Sequence, residues 1–166
     1  MKIGVMGYSG AGKSTLADLL GENYSLPVLH LDATFWFGDW QHRTREEQSA
    51  IVRKFMADNA DGWVIDGNYQ KICLERFSEC DTVYFLNYNR LFCLTQAIKR
   101  YKKYKGCTRP DCPCPEKFDL EFLCWILFKC RTRKRRRNYK EILAMSQGNK
   151  FIFKKRKQLK KHLSTL

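Results

Sequence analysis

The chain lacks any apolar run of membrane length. Its longest candidate, Phe122 to Phe128, falls far short of the roughly 18 residues a spanning helix needs, so no membrane span is expected. Acidic residues are scarce: 17 Asp and Glu stand against 31 Lys and Arg, a formal charge of +14. Internal repeats and low-complexity linkers are missing too, and 166 residues suit one domain with one core. An apolar strand begins almost at the first residue, leaving no room for a leader peptide, and a cytoplasmic protein is expected. Eight cysteines are present without a CxxC pair. Cys107, Cys112 and Cys114 follow a CxxxxCxC spacing around Pro110, Pro113 and Pro115, which reads either as reduced loop thiols or as a zinc knuckle.

What is there is dominated by one stretch. Gly7-Tyr8-Ser9-Gly10-Ala11-Gly12-Lys13-Ser14-Thr15 is a complete GxxxxGK[ST] phosphate loop, preceded by the apolar Ile3, Val5 and Met6 and followed by a helical pattern that Gly21 can end. Glycines let backbone amides close around a polyphosphate, and the helix N-terminus adds partial positive charge. The residues expected to bind ATP are Gly7, Ser9, Gly10, Ala11, Gly12, Lys13, Ser14 and Thr15. Lys13 is expected to reach the outer phosphates and Ser14 to ligate Mg2+.

Further along, Pro27 to Leu31 reads as a second strand, buried on both faces and ending at Asp32. Phe35 to Trp40 is unusually aromatic, and its rings suit either an acceptor pocket or a core under a lid. Thr44-Arg45-Glu46-Glu47 has capping-box spacing before a helix with Ile51, Val52, Phe55 and Met56 on one face. Trp63-Val64-Ile65 is a third strand running into Asp66, which either orients a Mg2+ water shell opposite the phosphate loop or simply makes an Asp-Gly turn. Thr82 to Leu86 is a fourth strand, and Leu91 to Tyr104 a helix. Lys105 to Lys117, rich in Gly, Pro and Cys, is the expected lid and carries Arg109. Phe118 to Phe128 reads as a mostly buried helix running on through the basic residues toward Met145, before a last strand, Phe151 to Phe153.

The positive charge is clustered: five basic residues in Lys99–Lys105, seven in Lys129–Arg137 and six in Lys154–Lys161. Such runs attract ATP, a phosphorylated acceptor or nucleic acid, or are simply solvated helix faces. No helix-turn-helix or ligand-complete zinc finger accompanies them.

Taken with Leu29-His30-Leu31-Asp32, Trp63 to Tyr69, Arg109-Pro110-Asp111 and Cys114 to Asp119, the phosphate loop gives a chain that resembles the bacterial DNA topology modulation proteins, which are similar to adenylate kinases and other small P-loop kinases. The resemblance covers nearly the whole chain and weakens after Arg131. It implies an α/β P-loop NTPase sandwich, a five-stranded parallel sheet of order 2-3-1-4-5 with a small lid, and ATP-dependent phosphoryl transfer. It also implies that Asp66 follows the third strand and that Arg100 and Arg109 belong to the lid. Where adenylate kinases continue Asp-Gly with Phe-Pro-Arg, this chain has Asn68-Tyr69-Gln70, without the acceptor-binding arginine. The expected catalytic set is Lys13, Asp32, Arg100 and Arg109; Ser14 and Asp66 serve Mg2+, and Asp32 orients a small-molecule acceptor in a monomer or homodimer. A nucleic-acid-binding regulator that uses ATP as a switch is the competing reading.

Overall fold

The computed structural model describes residues 1–38, 40–69 and 71–165. Gln70, where the adenylate-kinase arginine would stand, lies outside the described residues, as do Asp39 of the aromatic segment and Leu166. Five parallel strands form the main sheet: β1 (Lys2–Gly7), β2 (Val28–His30), β3 (Trp63–Asp66), β4 (Thr82–Leu86) and β5 (Asn149–Phe153), in the spatial order 2-3-1-4-5. The sequence-implied order is the one found. β1 lies in the middle, buried from Ile3 to Gly7. Connections leave it in both directions, so right-handed crossovers put helices on both faces, and the crevice beyond the C-terminal ends of β1 and its neighbours is where such sheets hold ligands.

Eight helices surround the sheet among the described residues: α1 (Lys13–Tyr24), α2 (Leu31–Phe35), α3 (Arg45–Asp58), α4 (Glu75–Ser78), α5 (Arg90–Tyr104), α6 (Leu120–Leu127), α7 (Arg133–Met145) and α8 (Arg156–Leu163). The capping box at Thr44 is present, with the Glu47 amide donating to the Thr44 hydroxyl and Thr44 N–H to the Glu47 carboxylate.

Several boundaries differ from expectation. Gly21 does not end α1, which runs to Tyr24 and is closed by Ser25 at φ 53°. Its absent side chain has another purpose: a Cβ there would stand 2.3 Å from Val28 of β2. β2 is an edge strand, half-buried rather than buried on both faces, and it stops at His30; Asp32 sits in the first turn of α2 instead of on the strand. The long helix expected from Phe118 is broken. Asp119 caps α6, a 3-10 turn covers Lys129–Arg131, and Thr132 caps a separate α7. Nor is α6 mostly buried, since only Ile126 is, while Leu120 is 79% exposed.

Residues 105–117 contain neither helix nor strand, only the isolated pairs Lys105 with Glu116 and Arg109 with Cys112. Two backbone hydrogen bonds between Arg109 and Cys112 close a tight turn with Pro110 and Asp111 at its tip.

Candidate active site

A cavity of about 1130 Å³ opens over the C-terminal ends of the strands, lined by the phosphate loop, α5, α8, residues 105–117 and the segments that follow β2 and β3. At its floor the chain turns from β1 into α1. Gly10 and Gly12 adopt φ 78° and 85°, conformations that favour glycine. A Cβ on Gly10 would lie 2.3 Å from the Cys93 carbonyl oxygen of α5, so the loop is seated directly against that helix. The first intrahelical bond of α1 is Leu16 N–H to Gly12 carbonyl, which leaves the amides of Lys13, Ser14 and Thr15 available at a helix N-terminus. Two predicted loop residues have other duties. The Ala11 amide turns back to the Tyr8 carbonyl, and both backbone polar groups of Gly7 are taken by the Asn68 side chain, at 2.9 and 2.5 Å.

Behind the loop stands a polar cluster. Ser14 Oγ donates to Asp66 Oδ2 at 2.6 Å, and His30 Nδ1 lies 3.3 Å from the same oxygen while its Nε2 is 2.9 Å from Asp18. Burial pushes the His30 pKa down, but Asp66 and Asp18 outweigh it and leave the imidazole above its ordinary value. Asp66 is buried beneath Ser14, and its Oδ1 has no hydrogen-bond partner among the described residues. A buried carboxylate oxygen without a donor is costly unless a cation or its water shell completes it, so this pair fits a hydrated Mg2+.

Asp32 lines the cavity beside the loop, its Oδ1 accepting from Tyr69 Oη at 2.7 Å. Burial and the neighbouring Asp32 charge push the Tyr69 phenol far up, so Tyr69 remains a donor and fixes the carboxylate, with Oδ2 left over. Trp36 and Trp40 form the wall next to it and meet edge to face at 5.2 Å; Phe35 packs under them on Tyr69 and His42. Both tryptophans of the aromatic segment line this cavity.

The 105–117 segment folds over this region. Cys114 Sγ donates to the Gly38 carbonyl, and Asp111 faces Ser14 and His30. Burial raises the Asp111 pKa, yet Arg109, the Ser14 hydroxyl and His30 hold it below the ordinary carboxylate range. Arg109 and Arg100 both line the cavity, but neither carries a free charge. Buried Glu116 joins them, at 2.8 Å to Arg100 and 2.7 Å to Arg109, and Arg109 is also paired with Asp111 at 2.8 Å. Arg109 has 8% of its side chain exposed and Arg100 29%, so Arg100 is the more open of the two.

Sequence reasoning missed His30, Glu116 and Tyr69 as site residues, and also Trp125, whose indole N–H donates to Ser9 Oγ at 3.0 Å. Arg131 stacks 3.7 Å from the Tyr8 ring and donates to the Tyr88 carbonyl. Among the described residues no group of three His, Cys, Asp or Glu side chains is arranged to hold a metal, Cys107, Cys112 and Cys114 included.

No protein-family model and no curated protein matches the sequence. Solved structures do match over almost the full length. Deoxyadenosine kinase from M. mycoides with bound dATP aligns with a TM-score of 0.57 at 14% identity, over 99% of this chain and 98% of that one. An uncharacterized protein from Eubacterium ventriosum gives 0.54 at 14% (99% and 96%), and shikimate kinase from Bacteroides thetaiotaomicron 0.51 at 17% (99% and 95%). At such identities the likeness is one of fold. This chain has the α/β fold of small P-loop kinases, and no helix among its described residues is long and apolar enough to cross a membrane.

Proposed function

We propose that the protein is an ATP-dependent phosphotransferase acting on a small acceptor. One observation carries this reading: a complete phosphate loop and a carboxylate oriented by Tyr69, Asp32, line the same cavity. The narrower resemblance to DNA topology modulation proteins rests on the sequence motifs alone.

ATP would lie with its phosphates on the amides of Gly12 to Thr15 and on Lys13, which has no ion-pair partner among the described residues. Mg2+ would be held by the Ser14 hydroxyl with Asp66 behind it, and when bound it offsets polyphosphate charge. An acceptor hydroxyl donates its proton to Asp32 Oδ2 as its oxygen bonds to the terminal phosphorus and the bond to the ADP oxygen breaks. Lys13 and the exposed part of Arg100 face the charge that develops, and Arg109 acts within the lid by holding Asp111 and Glu116 in place. Closure of 105–117 excludes water, which protects ATP from hydrolysis.

The test is ADP formation with ATP, Mg2+ and a panel of nucleosides, nucleotides and small sugars. Lys13→Ala is expected to lower turnover by about two to three orders of magnitude, the usual effect of removing a transition-state electrostatic contact. Equal turnover in wild type and variant rules the reading out.

A further inference from the structure

The cavity is electrically divided. Lys99 and Lys103 of α5 and Arg156 and Lys160 of α8 line it, and none of the four has a carboxylate partner within ion-pair distance among the described residues. The sheet order puts α8, after β5, at the far edge from β2, so the α8 cations stand away from Asp32. Around Asp32 the balance reverses. Arg109, the arginine that feels the Asp32 charge, is already paired with Asp111 and Glu116, while Arg100 is paired with Glu116 and Lys117 with Asp119. Lys117 is further occupied, its ammonium 5.0 Å over the Trp40 ring.

An anionic acceptor needs at least one uncommitted cation to replace its hydration; on the phosphotransferase reading Lys13 is taken by the donor phosphates, and Arg109, which feels the Asp32 charge, is sealed between two carboxylates. The wall beside Asp32 is instead made of indole: Trp36 and Trp40 are each half-exposed and present apolar ring surface. Building on the phosphotransferase reading, we infer that the acceptor is an uncharged alcohol carried on a flat ring system, of the nucleoside class, and not a phosphate monoester or carboxylate. Its ring lies against Trp36 and Trp40, and its hydroxyl meets Asp32 Oδ2. The phosphate-binding charge is reserved for the donor.

Matched pairs test this without relying on turnover. Nucleosides and their 5′-monophosphates are titrated against intrinsic tryptophan fluorescence, and the same pairs are compared as acceptors with ATP and Mg2+. The uncharged member is expected to bind and react at least about tenfold better, because a like charge beside unpaired Asp32 is penalised. Trp36→Ala should weaken binding of the nucleoside, and Glu116→Gln, which frees guanidinium charge, should narrow the gap between the two members. Should the monophosphate bind better, or neither member bind, the acceptor class is wrong. Lys13-dependent ATP turnover in that same protein would still leave the phosphotransferase reading standing, whereas Lys13-independent turnover would remove that reading alone.

Discussion

Ser14 Oγ and Asp66 Oδ2 are 2.6 Å apart, a hydrogen bond that ties the phosphate loop to the end of β3 across 52 positions of sequence. The hydroxyl that would face a cation is thereby aimed, and the carboxylate that aims it keeps a second oxygen unpartnered. Geometry of this kind places cost on the empty protein for the sake of the loaded one.

Asp66→Asn should separate those two roles. Asparagine retains the size and an oxygen for Ser14, so urea unfolding without ATP is expected to change by less than about 1 kcal/mol. Turnover is expected to fall by about a hundredfold, since the charge behind the cation site is gone. A fall in stability that accounts for the whole activity loss would refute the separation.

Arg76 is the other buried charge to probe. With 1% exposure it has no carboxylate partner within ion-pair distance among the described residues; its guanidinium donates to the carbonyls of Tyr69, Ile72 and Cys73 and covers the Phe77 ring at 4.2 Å. Burial pushes its pKa down to about 10, which leaves it charged at neutral pH. Lysine cannot span three carbonyls with a planar fork, and Arg76→Lys is expected to cost about 2–4 kcal/mol in urea unfolding. The same substitution loosens the backbone that carries Tyr69, so acceptor KM should rise more than kcat falls. Unchanged stability would mean that these carbonyls are satisfied some other way.

Thiol chemistry offers a cheaper measurement. Cys107 and Cys124 are exposed and the other six cysteines buried; burial, chiefly, drives the Cys80 thiol up to about 12. Native protein at pH 8 should show two fast thiols with an aromatic disulfide reagent and all eight in denaturant. Rapid labelling of Cys112 or Cys114 would show that residues 105–117 do not stay packed against Gly38.

Much of the sheet was legible because its determinants are local: apolar runs at β1, β3 and β4, glycines where φ turns positive, and a Thr44 capping box. Asp66 was legible as a carboxylate ending a buried strand, though its bond to Ser14 was not. The partners of the site were not. Glu116 reads as one more charge in a polar loop, and only the fold brings it between Arg100 and Arg109. His30 reads as a break in an apolar strand until α1 supplies Asp18 and β3 supplies Asp66. The division between α6 and α7 did carry a local sign, Thr132 three residues ahead of Arg135, but continuing helical residues on both sides masked it.

The close seating of Gly10 on Cys93 has a mechanical meaning. α5 is a rod of 15 residues, about 22 Å long, whose first turns are wedged under the phosphate loop and whose last turns carry Arg100 and enter the 105–117 segment. With Cys93 and Ala97 fully buried at the fulcrum, the rod has little slack to absorb a displacement of the loop. The floor of the cavity and the start of its roof are thus built on one helix, with the Gly10 contact near one end and Arg100 and residues 105–117 at the other.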